Sequence, residues 1–404
     1  MSTPPELAIL VRFHCRAPMK RRGFVRVMGG GVIAAASSGL AGCSSRVPEA
    51  AIEAWLGPAP QLDLRRWIVS YAILAPHSHN LQSWLVDLSK PDEIWLRCDL
   101  NRLLPETDPY SRQIMMSHGT FLELLDIAAR ERGTRCTVEL FPEGAFGPDR
   151  LDQRPVARIR LAPDPSVQKD PLFAQLLRRH TNRNLYDLQR PVSADAQQAM
   201  ADAVKPHKLH FGFTGTDSPE RLQQHRAIAA EAWRIELTTP RTILESFKVL
   251  RVGASEVARH RDGLVVMDPM VVLLDRVGLF DRSRAPAPDS YATTSQVRDF
   301  NQKLESTPGF LWMVTEGNDR ATQVDAGRAY VRVQLAATAH GVSMQPLQQA
   351  LQEYPEQAQS HRGIRRLLEA SEPAQTVQMW ARVGYAPPAE PAPRRSLDAF
   401  IVRA

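Results

Sequence analysis

The most constraining feature of this chain is an export signal near its N-terminus, which separates roughly 40 residues from the part that folds. Residues 18–44 read PMKRRGFVRVMGGGVIAAASSGLAGCS, in which Arg21 and Arg22 fit a twin-arginine pattern. The weakly apolar run at residues 27–40 is about 14 residues long, too short for a bilayer, which needs about 20. We therefore expect export by the twin-arginine machinery, which moves folded cargo, often with its cofactor already bound.

Cys43 follows Leu40-Ala41-Gly42, a small-residue pattern that precedes a lipidated cysteine. Cleavage there would leave a lipid anchor on Cys43 and place the protein in the periplasm or envelope. The alternative interpretation of this segment is a short hydrophobic anchor helix. Met19 directly precedes the basic cluster and is a natural alternative to Met1 as the first residue.

The charge of the chain gives no support to nucleic-acid binding. The formal net charge is +6, but six basic residues and one acid fall within residues 1–42, so the remainder is close to +1. About 360 residues follow the signal, which is enough for one large core or two fused halves. Cys98 and Cys136 lie in strand-like sequence, and the pattern allows either a disulfide between them or two free thiols.

Helical and strand patterns interleave without strict alternation, which predicts an α+β fold rather than a regular parallel sheet. Helices are expected at residues 62–74, 111–132, 171–179, 194–204, about 218–260 and 325–340. Strands are expected at residues 84–88, 93–97, 136–140, 156–161, 209–213, 309–314 and 378–383. The irregular segments are a tether at 44–60, a flexible excursion or lid at 262–290 and a Pro-rich arm at 386–404.

The first segment with candidate chemistry is residues 75–84, APHSHNLQSW, a polar loop between a helix and a strand. Such a loop is costly to bury unless its polar groups are paired. His77 and His79 alternate as a possible metal pair, but no carboxylate or cysteine lies nearby in sequence to complete the ligands, so no metal site is predicted. Helix capping and loop closure are the structural alternative.

The second segment is residues 178–183, RRHTNR, where three arginines surround a threonine at the end of a predicted helix. Arginine offers paired donors to phosphate oxygens, so the segment could bind a phosphate group. A solvated basic helix end, favoured by the helix dipole, explains the same residues equally well. The sequence contains no nucleophile elbow, zinc-protease motif, Walker loop or dinucleotide fingerprint.

These two segments resemble motifs of the flavin-binding nitroreductase superfamily, specifically its Acg-like branch. Residues 75–84 are similar to the family's A-P-S-x-x-N-x-Q-P-W loop, and residues 179–183 to its R-x-S/T-x-K/R phosphate motif. Further along the chain, residues 325–346 resemble the family's helix and turn beside the flavin ring. Residues 383–385 resemble its closing strand, and Arg394-Arg395 resemble its C-terminal phosphate-binding position.

The order of these motifs implies an intramolecular pseudo-dimer. Ordinary family members are homodimers with FMN at the interface, and their arginine motif precedes the loop. In this chain the loop comes first, and neither motif has a clear second copy. The resemblance therefore implies two fused nitroreductase-like halves, residues 61–165 and 166–404, which together build one FMN site.

The resemblance also implies which residues bind the cofactor, and it assigns no catalytic side chain because the chemistry belongs to FMN. The residues implied at the phosphate are Arg179, Thr181 and Arg183, together with Arg394 or Arg395. Those implied beside the ring are Pro76, His77, Ser78, Asn80 and Gln82, with the backbone of Pro346, Leu347 and Gln348 at its reactive edge. The chain departs from the family pattern at His77, Ser83 and Gln348-Gln349. The side chains of Gln348 and Gln349 are bulkier than the family's residues there and would narrow access to the ring.

The function that follows is an exported FMN-dependent oxidoreductase. It would take electrons from a small-molecule donor and pass them to an electron-poor acceptor such as a nitroaromatic or a quinone. Nicotinamide donors are scarce outside the cytoplasm, so the donor is left open. The alternatives are a flavin-sequestering protein without turnover and a cofactor-free envelope protein.

Overall fold

The computed structural model describes residues 46–60 and 62–402, so the predicted export signal and Cys43 lie outside the described residues. The first described elements are helix α1, Glu49–Ile52, and a 3₁₀ helix, Glu53–Leu56. Trp55 is buried and donates its indole N–H to the carbonyl oxygen of Ala392 at 2.8 Å. The tether predicted at residues 44–60 is therefore shorter than expected, because residues 49–56 pack against the body of the protein.

The first half consists of a helix, a hairpin, a long helix and two further strands. Its elements are α2 (Leu64–Ala72), β1 (Trp84–Asp87), β2 (Glu93–Cys98), α3 (Arg112–Glu131), β3 (Thr134–Leu140) and β4 (Ala157–Pro163). The strands are antiparallel in the order β1-β2-β4-β3. Gly133 ends α3 with a φ of +60°, a left-handed conformation that glycine adopts without strain.

The second half repeats this order of elements with insertions. Its elements are α4 (Ala194–Ala203), β5 (His210–Thr214), α5 (Pro219–Thr238), α6 (Pro240–Lys248), β6 (Leu250–Val252), α7 (Gly253–His260), β7 (Leu264–Val266), α8 (Pro269–Arg276), α9 (Tyr291–Glu305), β8 (Gly309–Glu316), α10 (Arg320–Ala339), β9 (Ser343–Pro346), α11 (Ala358–Leu367) and β10 (Gln375–Gly384). Its main sheet has the order β5-β8-β10-β9, which matches the first sheet strand for strand. The predicted α+β fold of two fused halves is confirmed.

The two halves join where α3 and α10 cross with their backbones in contact. Gly119 and Gly327 are each the eighth residue of their helix. A Cβ on Gly119 would lie 1.9 Å from the carbonyl oxygen of Val324, and one on Gly327 would lie 1.9 Å from that of Met116. Because real Cβ atoms do not approach so closely, any side chain at either position would force the helices apart.

Further contacts across the junction come from the first residue of each long helix and from the C-terminal arm. Arg112 donates from Nη2 to the carbonyl oxygen of Leu351 at 2.6 Å, and Arg320 donates from Nη2 to that of Pro148 at 2.8 Å. The arm returns from the second half to the edge of the first sheet, where the N–H of Val86 donates to the carbonyl oxygen of Phe400 at 2.8 Å.

The larger insertion, between β5 and β8, contains a unit that we call the cap, residues 239–290. Its strands β6 and β7 pair in parallel, and its helices enclose a separate apolar cluster that includes Phe247, Leu274 and Phe280. Residues 262–290, predicted as a flexible excursion, instead contain β7 and α8 and contribute buried side chains to this cluster. These elements are only three and eight residues long, which is too short for a clear periodic pattern in the sequence.

Several other predictions differ from the structure in extent. The helix predicted at residues 171–179 is a 3₁₀ helix at Pro171–Gln175, and the helical stretch predicted at 218–260 is divided among α5, α6, β6 and α7. Cys98 and Cys136 are both free thiols, and β4 separates the strands that carry them. Within the described residues, no helix has the length and apolar character needed to cross a bilayer.

Candidate functional site

The loop at residues 76–83 contains a strained turn. His79, Asn80 and Gln82 have φ angles of +47°, +54° and +55°, which place three residues other than glycine in the left-handed region. Each such residue costs on the order of 1–3 kcal/mol, and the conformation persists only where its surroundings impose it. Strain of this kind is concentrated at functional sites, so this turn is the first element of the candidate site.

The C-terminal arm holds this turn in place. Asn80 donates from Nδ2 to the carbonyl oxygen of Pro393 at 3.1 Å and accepts from Nη1 of Arg394 at 2.7 Å. Gln82 accepts from the backbone N–H of Arg395 at 3.0 Å. The side chains of Asn80 and Gln82 therefore fasten the turn to the arm.

His77 braces the same turn from within. Its Nε2 accepts from the N–H of Ser83 at 3.1 Å, and its Nδ1 donates to the carbonyl oxygen of Ser78 at 2.9 Å. Burial lowers the pKa of His77 to about 3, so the ring is neutral. Both ring nitrogens are occupied, which leaves none to bind a metal, and no group of three or more potential metal ligands occurs among the described residues.

Two buried guanidinium groups lie behind the turn, at the C-terminal end of α2. Arg179 donates from Nη2 to the carbonyl oxygen of Leu74 at 2.8 Å, and Arg394 donates from Nη2 to the same oxygen at 3.1 Å. Arg394 also binds the carbonyl oxygen of Ile73 at 2.9 Å through Nε. Carbonyl groups at a helix end carry partial negative charge and lack partners within the helix, which explains why the cations gather there.

No carboxylate of the described residues balances the positive charge of this pair. Arg179 and Arg394 are only 2% and 3% exposed, and neither forms a salt bridge with a described residue. The Nε of Arg179 has no hydrogen-bond partner among the described residues. Burial lowers the pKa of Arg179 to about 10 and also lowers that of Arg394. Two desolvated cations without an anion are expensive, so the site is suited to an anionic ligand.

Trp55 forms the apolar support of this cationic pair, a role that the sequence analysis missed. The guanidinium carbons of Arg179 and Arg394 lie 5.5 and 5.1 Å from the centre of its ring, and the ring of His180 packs edge-on at 4.6 Å. Cations over an aromatic face are stabilised by the ring quadrupole. A lone tryptophan in a segment that resembled a tether gave no sign of this contact.

The remaining residues of the arginine segment lie near α10 and the strained turn. Arg183 is exposed and close enough to contribute to lowering the pKa of His79, which burial brings to about 4. Tyr330 of α10 is buried, its hydroxyl has no partner among the described residues, and both Arg179 and Arg183 act on its pKa. Thr181 is half-buried in the same loop. These side chains lie near one another where α10, the strained turn and the arginine loop meet.

The cap contacts the strained turn and other residues of the first half. Ser246 of α6 lies with its Oγ 3.3 Å from Nε2 of His79, and the N–H of Gly263 donates to the carbonyl oxygen of Asn80 at 3.1 Å. Glu245 accepts from the N–H of Thr107 at 2.9 Å. The cap is thus fastened to the strained turn itself.

The other residues implied by the resemblance are placed differently. The guanidinium of Arg395 donates to the carbonyl oxygens of Gln82 and Ala399, on the side of the arm away from Arg179. The backbone N–H of Leu347 is used in a bond to the carbonyl oxygen of Trp380 at 2.8 Å. Among the described residues, no hydrogen bond joins residues 346–348 to the strained turn or to the two buried arginines.

Comparison with known proteins supports the resemblance to the nitroreductase superfamily. No family model matches the chain. Two proteins from strains of Mycobacterium tuberculosis, provisionally named NAD(P)H nitroreductases, are each 28% identical over 350 residues, which is 85% of this chain and 92% of theirs. The similarity therefore extends over nearly the whole of the relatives and over both halves of this chain.

Solved structures of nitroreductases overlap with the chain only weakly. An FMN-dependent nitroreductase from Mycobacterium smegmatis in complex with NADPH matches at 17% identity and a TM-score of 0.36, over 58% of this chain and 98% of its own. A protein from Anabaena variabilis, provisionally described as a nitroreductase, matches at 9% identity and a TM-score of 0.34, over 83% and 91%. We draw no argument from overlaps of this size.

Proposed function

We propose that the protein is an FMN-dependent oxidoreductase of the nitroreductase type, in its Acg-like branch. The observation that carries the proposal is the pair of buried, uncompensated guanidinium groups, Arg179 and Arg394, behind a strained turn at the junction of two similar halves. The relatives that span 85% of the chain are named NAD(P)H nitroreductases, which favours the same class of activity.

The residues at the junction fit a flavin mononucleotide. Arg179 and Arg394 would bind the phosphate, with Thr181 and Arg183 beside them, because guanidinium groups offer paired donors to phosphate oxygens. The turn at Pro76–Asn80 would lie against the ring. Bound FMN would supply the transfer of electrons, while the chain binds it, orients it and limits access of water through the cap.

The substrates that we propose are a small-molecule electron donor and an electron-poor acceptor such as a nitroaromatic or a quinone. The donor need not be a nicotinamide, because nicotinamide cofactors are scarce in the envelope. We expect the side chains of Gln348 and Gln349, together with the contact between Ser246 and His79, to restrict access to compounds of small size.

The test of cofactor binding is the absorbance spectrum and the mass of the small molecule that is released from purified protein. We expect flavin peaks and one FMN per chain. A colourless protein that also fails to take up added FMN would overturn the proposal and favour a cofactor-free envelope protein.

A second candidate function is flavin sequestration without turnover. The observation that favours it is the closed cap, whose Gly263 and Ser246 both contact the strained turn. Stopped-flow measurements separate the two candidates. Flavin that is bleached by a donor and recovers with a nitro compound or a quinone supports the enzyme, whereas flavin that stays oxidised with every donor supports sequestration.

We also propose that the protein is exported by the twin-arginine machinery and anchored in the envelope through a lipid on Cys43. The support is the pattern at residues 18–44. Replacing Arg21 and Arg22 with Lys should leave the protein in the cytoplasm, as shown by cell fractionation. Normal export of this variant would contradict the twin-arginine assignment, and failure of Cys43→Ser to release the protein from membranes would contradict the lipid anchor.

A further inference from the structure

The outer face of the cap carries a concentration of exposed apolar side chains. Among the described residues, ten large apolar side chains are exposed, and five of them fall within residues 270–291. We call these five the apolar stripe, and each is between 43% and 57% exposed: Met270, Leu273, Val277, Leu279 and Tyr291. Single exposed apolar residues are ordinary, but a contiguous group marks an interaction surface.

Helix α8 shows why the stripe is unusual. Its inner face is apolar, because Val271 and Leu274 are buried in the cap's own cluster. Its outer face is also apolar, because Met270, Leu273 and Val277 recur at helical spacing and remain exposed. A helix with apolar side chains on two opposite faces is normally covered on both, and this one is covered on the inner side only.

The position of the N-terminal segment indicates what covers the outer side. Helix α1 packs against α7, and Arg261 at the end of α7 pairs with Glu53 at 2.8 Å. The other end of α7 lies against α8, where a Cβ on Gly253 would come within 3.3 Å of Val272. One eight-residue helix, about 12 Å long, therefore separates the start of the described chain from the stripe.

Cys43 is three residues before Arg46, a distance of at most about 10 Å in an extended chain. A lipid attached there would hold the bilayer surface within reach of the cap. We propose that the apolar stripe docks the cap onto a phospholipid bilayer and enters the interfacial region of the membrane.

The charges around the stripe indicate that apolar insertion, not attraction to anionic lipid, is the source of binding. Asp275 pairs with Arg282 at 3.3 Å, and Asp268 caps α8 by accepting from the N–H of Met270 at 2.9 Å. Residues 268–291 contain four acids and three arginines. The binding we expect is therefore similar for zwitterionic and anionic vesicles and insensitive to salt.

The test uses the mature chain from Ser44 onward without a lipid, so that neither the signal nor the anchor contributes. Wild-type protein should co-float with phosphatidylcholine vesicles, and Leu273→Asp with Val277→Asp should weaken that binding about tenfold or more, because a charge in the interface opposes insertion. The matched control is Leu64→Asp with Leu188→Asp, two exposed leucines outside the stripe that receive the same charge change. The control should bind vesicles as wild type does.

Three outcomes would overturn the proposal. One is wild-type protein that stays free of vesicles, and another is equal binding by wild type and the stripe variant. The third is a concentration-dependent dimer that the stripe variant abolishes in sedimentation, which would identify a second copy of the chain as the occupant. Thermal unfolding of both variants shows whether they remain folded, and flavin content is unaffected in every case, so the result is independent of the proposed cofactor.

Discussion

The two halves contain equivalent turns that have diverged in charge. In the first half, Pro76-His77-Ser78 meets α3, and the N–H of Ser78 donates to Oγ of Ser117 at 3.3 Å. In the second half, Pro206-His207-Lys208 meets α10 in the same way, and the N–H of Lys208 donates to Asp325 at 3.4 Å. Ser117 and Asp325 are both the sixth residue of their helix. The same local structure therefore occurs twice.

The surroundings of the two turns differ. On the first side, Gln334 of α10 binds Arg179 at 2.9 Å, and the arginine has no acidic partner in the part of the chain that the structure describes. On the second side, the equivalent position of α3 is Asp126, which pairs with Arg130 at 2.8 Å, while Glu123 pairs with Arg328 and Arg332 at 2.7 Å each. At the second crossing, beside Asp126, the acidic and basic side chains are paired with each other. At the first crossing, beside Arg179, the arginine has no such pairing among the described residues. This comparison indicates that the crossing beside Arg179 is the one whose charge an anion would balance, whereas the other crossing is balanced by its own carboxylates.

The largest expected effect comes from the junction that both halves share. Gly327→Leu should prevent stable folding, because the added side chain would meet the carbonyl oxygen of Met116 and overpacking of a full side chain against backbone costs more than about 4 kcal/mol. Soluble yield and thermal unfolding measure the outcome. The matched control is Gly147→Ala, where no atom lies within 4 Å of a new Cβ. A cooperative, wild-type melting transition in the leucine variant would contradict the backbone contact.

The next effect separates the two crossings. Arg179→Ala with Arg394→Ala should weaken FMN binding by at least about a hundredfold, because each charge-assisted contact contributes about 1.5–3 kcal/mol. Arg332→Ala, which removes a half-buried arginine from the compensated crossing, should lower thermal stability but leave the FMN dissociation constant within about twofold of wild type. Equal FMN affinity in all three proteins, measured by fluorescence titration, would show that the phosphate lies elsewhere.

A third effect is the pH dependence of stability. Burial lowers the pKa of His118 in α3 to about 4, and the equivalent residue of α10 is Ala326. Below the ordinary histidine pKa of about 6.5, the unfolded chain binds a proton at this position that the folded state does not. The contribution of the neutral ring to the free energy of unfolding is therefore complete above that pH. It falls by up to about 1.4 kcal/mol per pH unit between pH 6.5 and 4. In urea titrations at several pH values, His118→Gln should reduce the pH dependence of the free energy of unfolding by the contribution of one proton. Slopes that are identical for wild type and variant would contradict a neutral, buried ring.

The smallest effect tests whether charge alone distinguishes the two crossings. Gln334→Asp would give Arg179 the carboxylate that the other crossing has in Asp126, and should weaken FMN binding by about tenfold, because the new anion competes with the phosphate. Asp126→Asn is the matched change in the other crossing and should leave FMN affinity unchanged. Tighter FMN binding in the Gln334→Asp protein would refute the idea that the arginine needs an anionic partner.

The sequence determined much of the fold, because its long periodic elements are locally consistent. The hairpin at β1 and β2, the helix α3 with Gly133 at its end, and strands β8 and β10 follow from apolar spacing and turn residues. It also drew attention to residues 75–84 and 178–183, since dense polar groups beside apolar elements are conspicuous along a chain. Whether FMN binds there stays a prediction.

Only the tertiary structure decided which of these residues meet. Arg179 and Arg394 are more than 200 residues apart in sequence, and they bind the same carbonyl oxygen of Leu74 because the C-terminal arm returns to the first half. Trp55 joins them from a segment without a distinctive pattern, whereas Arg395, the neighbour of Arg394, instead binds the carbonyl oxygens of Gln82 and Ala399. Composition and periodicity report on local structure, whereas the position of an uncompensated charge depends on chain paths that only the packed fold defines.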